Sequence, residues 1–411
     1  MSQHRWVVVA DSPFLPAQGG GEREHLGFVR AARRAGVLAA LVVPTSEDVD
    51  PDPYAAEVGD APVIFTRRRE SPLMLAHPRY PYVVASRPAR AGLADEVRAA
   101  AGPVTGVVTF SYKARLIGQA LSAELDVPMI LRQHNREGNY HRGLAQGLTG
   151  PRRLVMTWEA ARITRDERRV DRDRSILAIA DISRADAAAR RAAGAHNVLY
   201  VPPFAFDAGL AGRASGGEST EADGQAQVAP SGSQGAGSVL FLGALDVPTN
   251  TSALQWFLTS VWPLILAESP GTVLEVVGRA PGPELRAALA GTPQVTLHAD
   301  VPSLAPFFQR ATVAVNPAVT GSGVNIKVID YLQAGVPVVS TSLATQGLDL
   351  RAGIDLEVAD DPAGFGAAVL ALLADPRRRE RLARSGREQI GLLLDPARNI
   401  QRLADAFEGH R

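Results

Sequence analysis

Two glycines, a lysine and an aspartate in GSGVNIKVID, residues 321–330, have the types and the spacing to hold a nucleotide. Gly321 and Gly323 follow an apolar run, Val313–Val315, and precede a helical stretch that stops at Gly335 and Pro337. Glycine lets a backbone approach a ligand closely, and the first turn of a helix offers unpaired N–H groups with a partial positive charge, so this loop suits a phosphate. Lys327 and Asp330 share a helix face, where an ammonium and a hydroxyl-binding carboxylate would meet one nucleotide. An ordinary helix start with a solvated Lys–Asp pair accounts for the same residues equally well. A second polar group, running from Arg132 through His134 to Glu137, follows the apolar run Pro128–Leu131, at the strand edge where open α/β sheets bind ligands. The Gly19–Gly21 turn lacks the spacing of a dinucleotide fingerprint; it reads as a tight turn or as backbone opened to a ligand.

Such residues need a scaffold of alternating strands and helices, and the pattern supplies one. Apolar runs at Trp6–Ala10, Val37–Val43, Val63–Thr66, Val107–Phe110, Pro128–Leu131, Ile176–Ala180 and Val198–Pro202 alternate with helical stretches such as 22–34, 93–101 and 113–124. The same alternation resumes at Val239–Leu242 and continues through a helix from about Thr251 to Ala267, Val273–Val277, Val295–His298 and Val313–Val315. Between the two series, residues 207–237 are rich in glycine, serine and other polar residues, as in ASGGESTEADGQAQVAPSGSQGAG, which reads as a flexible linker or insertion. The expected fold class is α/β, with two doubly wound Rossmann-like domains facing a cleft: 1–206, then 238–394 after the linker. A last helix within 395–411 is expected to pack back on the first domain.

At 411 residues the chain is long enough for two such cores. Its 43 lysines and arginines equal its 43 aspartates and glutamates, so no global field favours nucleic acid, and none is expected as a partner. The absence of cysteine excludes disulfides and thiolate metal sites. Short apolar runs point to a cytoplasmic protein. The stretch from Arg152 to Arg174 is crowded with arginine but interleaved with Glu159, Asp166, Glu167, Asp171 and Asp173, which predicts a solvated, salt-bridged face. The sharper alternative is a basic surface in peripheral contact with an anionic acceptor or with lipid headgroups at the inner membrane face.

From Val239 to Arg387, ordered blocks including FLGALDVPTN, LEVVGRAPG, GSGVNIKVIDYLQAGVPVVSTSLATQGL and DDPAGFGAAVLALLADPRRRERL resemble the retaining nucleotide-sugar glycosyltransferases of family 4, which have the GT-B fold. They are most similar to the subgroup whose helix reads G-x-G-x-x-x-K-V-L-E-A-x-A-x-G-x-P-V-V. The resemblance implies metal-independent hexosyl transfer, with retention, from a nucleoside-diphosphate sugar held by the second domain. No cofactor is implied. The acceptor would be a glycan, a lipid-linked or a small molecule, in polysaccharide or glycoconjugate biosynthesis.

Residue by residue, the resemblance places the ribose hydroxyls on Asp330, one methylene shorter than the usual glutamate. The first carboxylate of the common Glu-x7-Glu pair falls at Ser322, which is not acidic, so the loop backbone at Ser322, Gly323, Val324 and Asn325 would meet the donor sugar instead. Ala244 and Thr249 stand where many members carry an arginine and a lysine, which leaves Lys327, helped by Arg279, to neutralise the diphosphate. His134 would face the donor sugar from the first domain, and Gly20 and Gly21 would approach the diphosphate or the acceptor. His134 and Lys327 are therefore the expected catalytic residues. Two alternatives stand beside this one: a catalytically silent GT-B scaffold, favoured by Ser322, Ala244 and Thr249, and a GT-B epimerase, whose carboxylates would come from Glu22, Glu24 and Glu137.

Overall fold

A computed structural model describes residues 4–17, 19–204, 237–320 and 323–409. Gly321, Ser322 and the expected linker, apart from Gly237, lie outside the described residues.

In the first domain β1 (Trp6–Val9), β2 (Leu38–Thr45), β3 (Val63–Arg67), β4 (Gly106–Phe110), β5 (Met129–Gln133), β6 (Ala178–Asp181) and β7 (Val198–Tyr200) form a parallel sheet in the order β3-β2-β1-β4-β5-β6-β7. In the second, β8 (Ser238–Ala244), β9 (Val273–Arg279), β10 (Val295–Ala299), β11 (Val313–Asn316), β12 (Val338–Ser340) and β13 (Glu357–Val358) are ordered β10-β9-β8-β11-β12-β13, again parallel. Helices cover both faces of each sheet, which is why the strands are continuous apolar runs and not alternating ones. Each sheet accordingly has two core clusters: Val8, Phe28 and Phe110 belong to one side of the first sheet, Val7, Val107 and Leu131 to the other. Strand order reverses between β1 and β4 and between β8 and β11, so each sheet opens a crevice at the carboxyl ends of those strands. The candidate site residues sit on loops leaving these two switch points.

The last helix, Pro396–Glu408, belongs to the core of the first domain. Ile400, Leu403 and Phe407 are buried in it, Phe407 with its ring centroid 5.3 Å from that of Trp6. Phe407 also fills the space above Gly106, where an added Cβ would come within 2.7 Å of the ring.

Three local expectations are corrected. The helix expected from Thr251 to Ala267 is broken by a π turn, Phe257–Val261, between Pro248–Trp256 and Trp262–Glu268; Pro263 has no N–H to continue the ladder, and the helix widens just before it. The polar group at 132–137 is not one loop, since β5 runs through Gln133 and a helix, Glu137–Gln146, begins at its other end. In the arginine-rich helix, Gly150–Val170, the acids do not interleave on the surface. Glu159, Asp166 and Glu167 point inward and are buried, as is Asp171 just beyond it, while Arg165, Arg168 and Arg169 remain exposed.

Candidate active site

The first-domain side of the cleft is built on a buried charge relay. Glu24, from the Gly20–Arg34 helix, is 1% exposed and Arg132, on β5, is 0% exposed, so neither charge survives without the other. Arg132 donates to Glu24 Oε1 through Nε, at 2.9 Å, and through Nη2, and its Nη1 and Nη2 also donate to the carbonyls of Val201 and Pro202. His134 Nε2 donates to the second oxygen, Glu24 Oε2, at 3.1 Å. Burial pushes the Glu24 carboxyl up, but Arg132 and His134 outweigh it and hold it at about 2. The Glu24 contact through Nε2 orients the His134 ring so that Nδ1 lies beside Gly21.

Asp11, at the carboxyl end of β1, and Lys113, which follows β4, form the floor. Lys113 Nζ is 3.4 Å from both Asp11 Oδ2 and Glu137 Oε1. Lys113 is aimed by Ser111, which adopts a φ of 64°, a conformation rare for a residue with a Cβ, and whose hydroxyl accepts from Lys113 N. Burial raises the Asp11 carboxyl, but Lys113, His25 and Arg87 together bring it far below the usual carboxylate range. His25 Nδ1 donates to Gly21 O at 2.7 Å, and burial lowers its pKa. Its Nε2 faces Asp11 Oδ1 at 3.7 Å and has no hydrogen-bond partner. Asp11 Oδ1 also accepts from Ser12 Oγ at 3.0 Å, so it and His25 Nε2 border the cavity as neighbouring polar atoms. These groups line a cavity of about 420 Å³ together with Gly20, Gly21, His134, Asn135 and Tyr140, and with Val324 and Ile326 of the second domain.

On the second-domain side the helix Ile326–Ala334 carries Lys327 and Asp330, but the two do not converge. Lys327 Nζ donates to Asn250 Oδ1 at 2.8 Å and lies 5.1 Å from the centroid of the Phe241 ring. Burial draws its pKa down to about 8, and among the described residues no carboxylate pairs with it. Asn250, in the first turn of the helix Pro248–Trp256 that follows β8, is held by its own Nδ2 donating to Ala244 O at 2.9 Å. Asp330 is buried and turned toward the first domain, where Arg23 grips it with two hydrogen bonds, at 2.7 and 3.0 Å. Burial raises the Asp330 carboxyl, and Arg23 only partly offsets this. The expectation that Lys327 and Asp330 present one shared face is therefore corrected: with two residues of helix between them, the ammonium faces Asn250 and the carboxylate faces the other domain.

The glycines serve domain closure. A Cβ at Gly20 would come 2.7 Å from Ile326 Cγ1, and one at Gly323, whose φ is +78°, would come 2.9 Å from His134 O. The close approach that glycine permits is here between the two domains. The helix start at Gly20 is also occupied electrostatically, because Glu22 Oε2 accepts from Gly19 N at 2.7 Å. An anion arriving there would meet a carboxylate. Arg279, at the end of β9, pairs in register with Ala244, accepts from Leu245 N at 2.8 Å through its carbonyl, and lines a recess of about 290 Å³ with Phe14, Gly19 and Glu22. Ser322 lies outside the described residues; Asn325 is the residue that precedes the Lys327 helix.

Residues 236–375 match the family model described as glycosyl transferases group 1. A protein in the cps region of Klebsiella pneumoniae, known as an uncharacterized 44.6 kDa protein, is 29% identical over 141 residues, 32% of this chain. The chain matches about a third of that relative's length, 36%. Among solved structures, Anabaena HepE in complex with UDP superimposes with a TM-score of 0.64 at 13% identity, over 98% of this chain and 100% of that one. Sucrose-phosphate synthase from Thermosynechococcus elongatus gives 0.65 at 17% identity, over 99% and 100%. A glycosyltransferase from Rickettsia africae gives 0.65 at 10%, over 99% and 98%. The fold is GT-B. In GT-B terms the cavity at the β1–β4 switch point belongs to the amino-terminal domain, and Lys327 and Asp330 to the domain that matches the group 1 family.

Sequence reasoning missed the roles of Asp11, Lys113, His25, Asn250 and Arg23, and it placed Arg132 in the polar group without its partner. Glu24 and Glu137 had drawn notice as epimerase carboxylates, and both are now committed to arginine, histidine or lysine partners.

Proposed function

We propose that this chain is a glycosyltransferase that moves a hexosyl group, with retention, from a nucleoside-diphosphate sugar to an acceptor hydroxyl, without a metal or cofactor. The observation that carries this is Lys327: a partly buried amine whose side chain, among the described residues, hydrogen-bonds a neutral amide and no carboxylate, on the first turn of a helix, in the domain that matches the group 1 family. An ammonium without a counter-charge in such a place is relieved by an anion, and a diphosphate leaving group supplies one just as its charge develops. Asp330 then takes the ribose hydroxyls after exchanging them for Arg23, and the backbone from Ser322 to Asn325 meets the donor sugar. The acceptor occupies the 420 Å³ cavity with its hydroxyl beside Asp11 and His25, and His134 Nδ1 faces the sugar in transfer.

The test is a thermal-shift and turnover panel of UDP-, GDP-, ADP- and dTDP-sugars, with and without EDTA. A shift with at least one nucleoside diphosphate, and hydrolysis or transfer that EDTA leaves unchanged, are expected; a product whose anomeric configuration is inverted in the NMR spectrum would overturn the retaining mechanism. Because Arg23 covers Asp330, Arg23→Ala is expected to tighten binding of the diphosphate from the hit by about tenfold, the worth of one charge-assisted hydrogen bond. Unchanged affinity in an isothermal titration would remove Asp330 from the ribose site. A silent GT-B scaffold is the reading to adopt if neither the wild type nor Arg23→Ala responds to any nucleotide, since the Arg23–Asp330 contact would then be a permanent seal.

A further inference from the structure

The amino-terminal turns of the helix Gly150–Val170 stand clear of the body of the protein and are apolar where they are most exposed. Leu154 is 73% exposed and Trp158 50%, with Val155 beside them at 47%. At 100° per residue Leu154, Trp158, Ala161, Arg165 and Arg169 follow one another along a single outward stripe of about 22 Å, opposite the buried Ile163, Asp166 and Val170. The stripe thus begins apolar and ends basic. Among the described residues neither Arg165, Arg168 nor Arg169 pairs with a carboxylate, because the helix's acids are all spent on the inward side: Asp166 on Tyr112 and Arg115, Glu159 on Arg162 and Tyr82 N, and Glu167 on the amides of Glu137 and Gly138.

The neighbouring segment continues the same chemistry. Arg162 donates to the carbonyls of Leu75, His77 and Tyr80 and lies 4.6 Å from the centroid of the Trp158 ring, which fastens the short 3-10 turn Pro72–Ala76 beside the stripe. Leu73, on that turn, is 76% exposed. Neither residues 71–81 nor residues 149–158 contain an acidic residue, although the whole chain is electrically balanced.

We propose that this face is a docking surface for an anionic phospholipid bilayer, on which Leu73, Leu154, Val155 and Trp158 enter the interface while Arg165, Arg168 and Arg169 meet lipid phosphates. Trp and Leu beside arginine with no acid between them is the chemistry of a helix lying in the headgroup layer, and each arginine near an anionic surface adds attraction that salt screens. Among the described residues no helix is long and apolar enough to cross a membrane, so contact of this kind is at the surface. The helix Glu137–Gln146, which borders the cavity through Glu137 and Tyr140, is joined to this one through Glu167, and a chain seated on lipid would therefore hold its acceptor cavity near the bilayer.

The experiment uses the full chain and vesicles of phosphatidylcholine with zero, 20 or 40% phosphatidylglycerol. Trp158 is its reporter, since Trp6 and Trp262 are buried and Trp256 packs against Phe365. Expected are co-sedimentation that rises with phosphatidylglycerol and falls with salt, and a blue shift of tryptophan emission that Trp158→Phe removes. Leu154→Ser with Val155→Ser is expected to weaken vesicle binding at least tenfold while leaving the thermal unfolding midpoint in place, since both side chains are exposed. Arg165→Ser with Arg169→Ser is expected to erase the preference for phosphatidylglycerol. No blue shift on any vesicle would overturn the proposal. So would a concentration-dependent dimer that Leu154→Ser dissociates, because the face would then belong to a second copy of the chain.

Discussion

Lys327→Ala is expected to weaken nucleoside-diphosphate binding by about 10- to 150-fold at pH 7, the worth of a charge-assisted hydrogen bond of roughly 1.5–3 kcal/mol. The loss is large because Ala244 and Thr249, at the end of β8 and the start of the helix after it, carry no second cation. The same lysine sets a pH profile. Burial draws its pKa to about 8, so affinity is expected to fall as pH rises through and above 8, with the wild type approaching the variant; the variant's profile stays flat. For stability the sign is opposite. The unfolded chain binds the Lys327 proton more tightly than the folded one, so the charged amine costs folding stability below pH 8, and this cost is relieved between about 8 and 10.5. Lys327→Met is therefore expected to raise the thermal midpoint at pH 7, removing an opposing contribution on the order of 3 kcal/mol, while it weakens nucleotide binding as Lys327→Ala does. Titrations of both variants from pH 6.5 to 9.5 check the set. Equal affinity in wild type and variant would place the diphosphate elsewhere.

Glu24→Ala is expected to destabilise the first domain by about 3–5 kcal/mol, because it strips the one carboxylate from a fully buried arginine. Glu24 is held at about 2 in the folded state against 4.5 for an unperturbed glutamate, so its contribution is present above pH 4.5 and lost as pH falls from there toward 2. Urea unfolding of the wild type from pH 7 to 3 should show this slope, and Glu24→Gln should flatten it. A Glu24→Ala chain as stable as the wild type would mean that Arg132 finds other acceptors. In Glu24→Gln the His134 ring loses its ionised partner while retaining a hydrogen-bonding neighbour, so turnover is expected to fall more than stability does.

The alternation of strands and helices, and with it both parallel sheets, was legible because sheets covered on two faces write themselves as unbroken apolar runs. The Gly335–Pro337 stop and the end of β9 at Gly278–Arg279 were legible for the same local reason. What was not legible depends on distance along the chain. Arg132 looked like surface because arginine usually is, and only Glu24, far away in the sequence, makes its burial tolerable. Arg23 and Asp330 lie in different domains, and no periodicity announces that they meet. The acids of the Gly150–Val170 helix were visible, but their common inward direction emerges only when 100° per residue is set against the body they pack on. Asn250 was passed over because an amide beside two missing cations carries no charge of its own, yet it is what anchors Lys327.

The placement of Ile400, Leu403 and Phe407 in the first domain's core has a consequence for biosynthesis. On the ribosome the amino-terminal sheet emerges early but stays without the ring that covers Trp6 and Gly106 until the carboxyl-terminal helix has been made. The domain translated first is the one completed last. Stalled or shortened nascent chains should accordingly be more protease-sensitive in residues 4–204 than in the second domain.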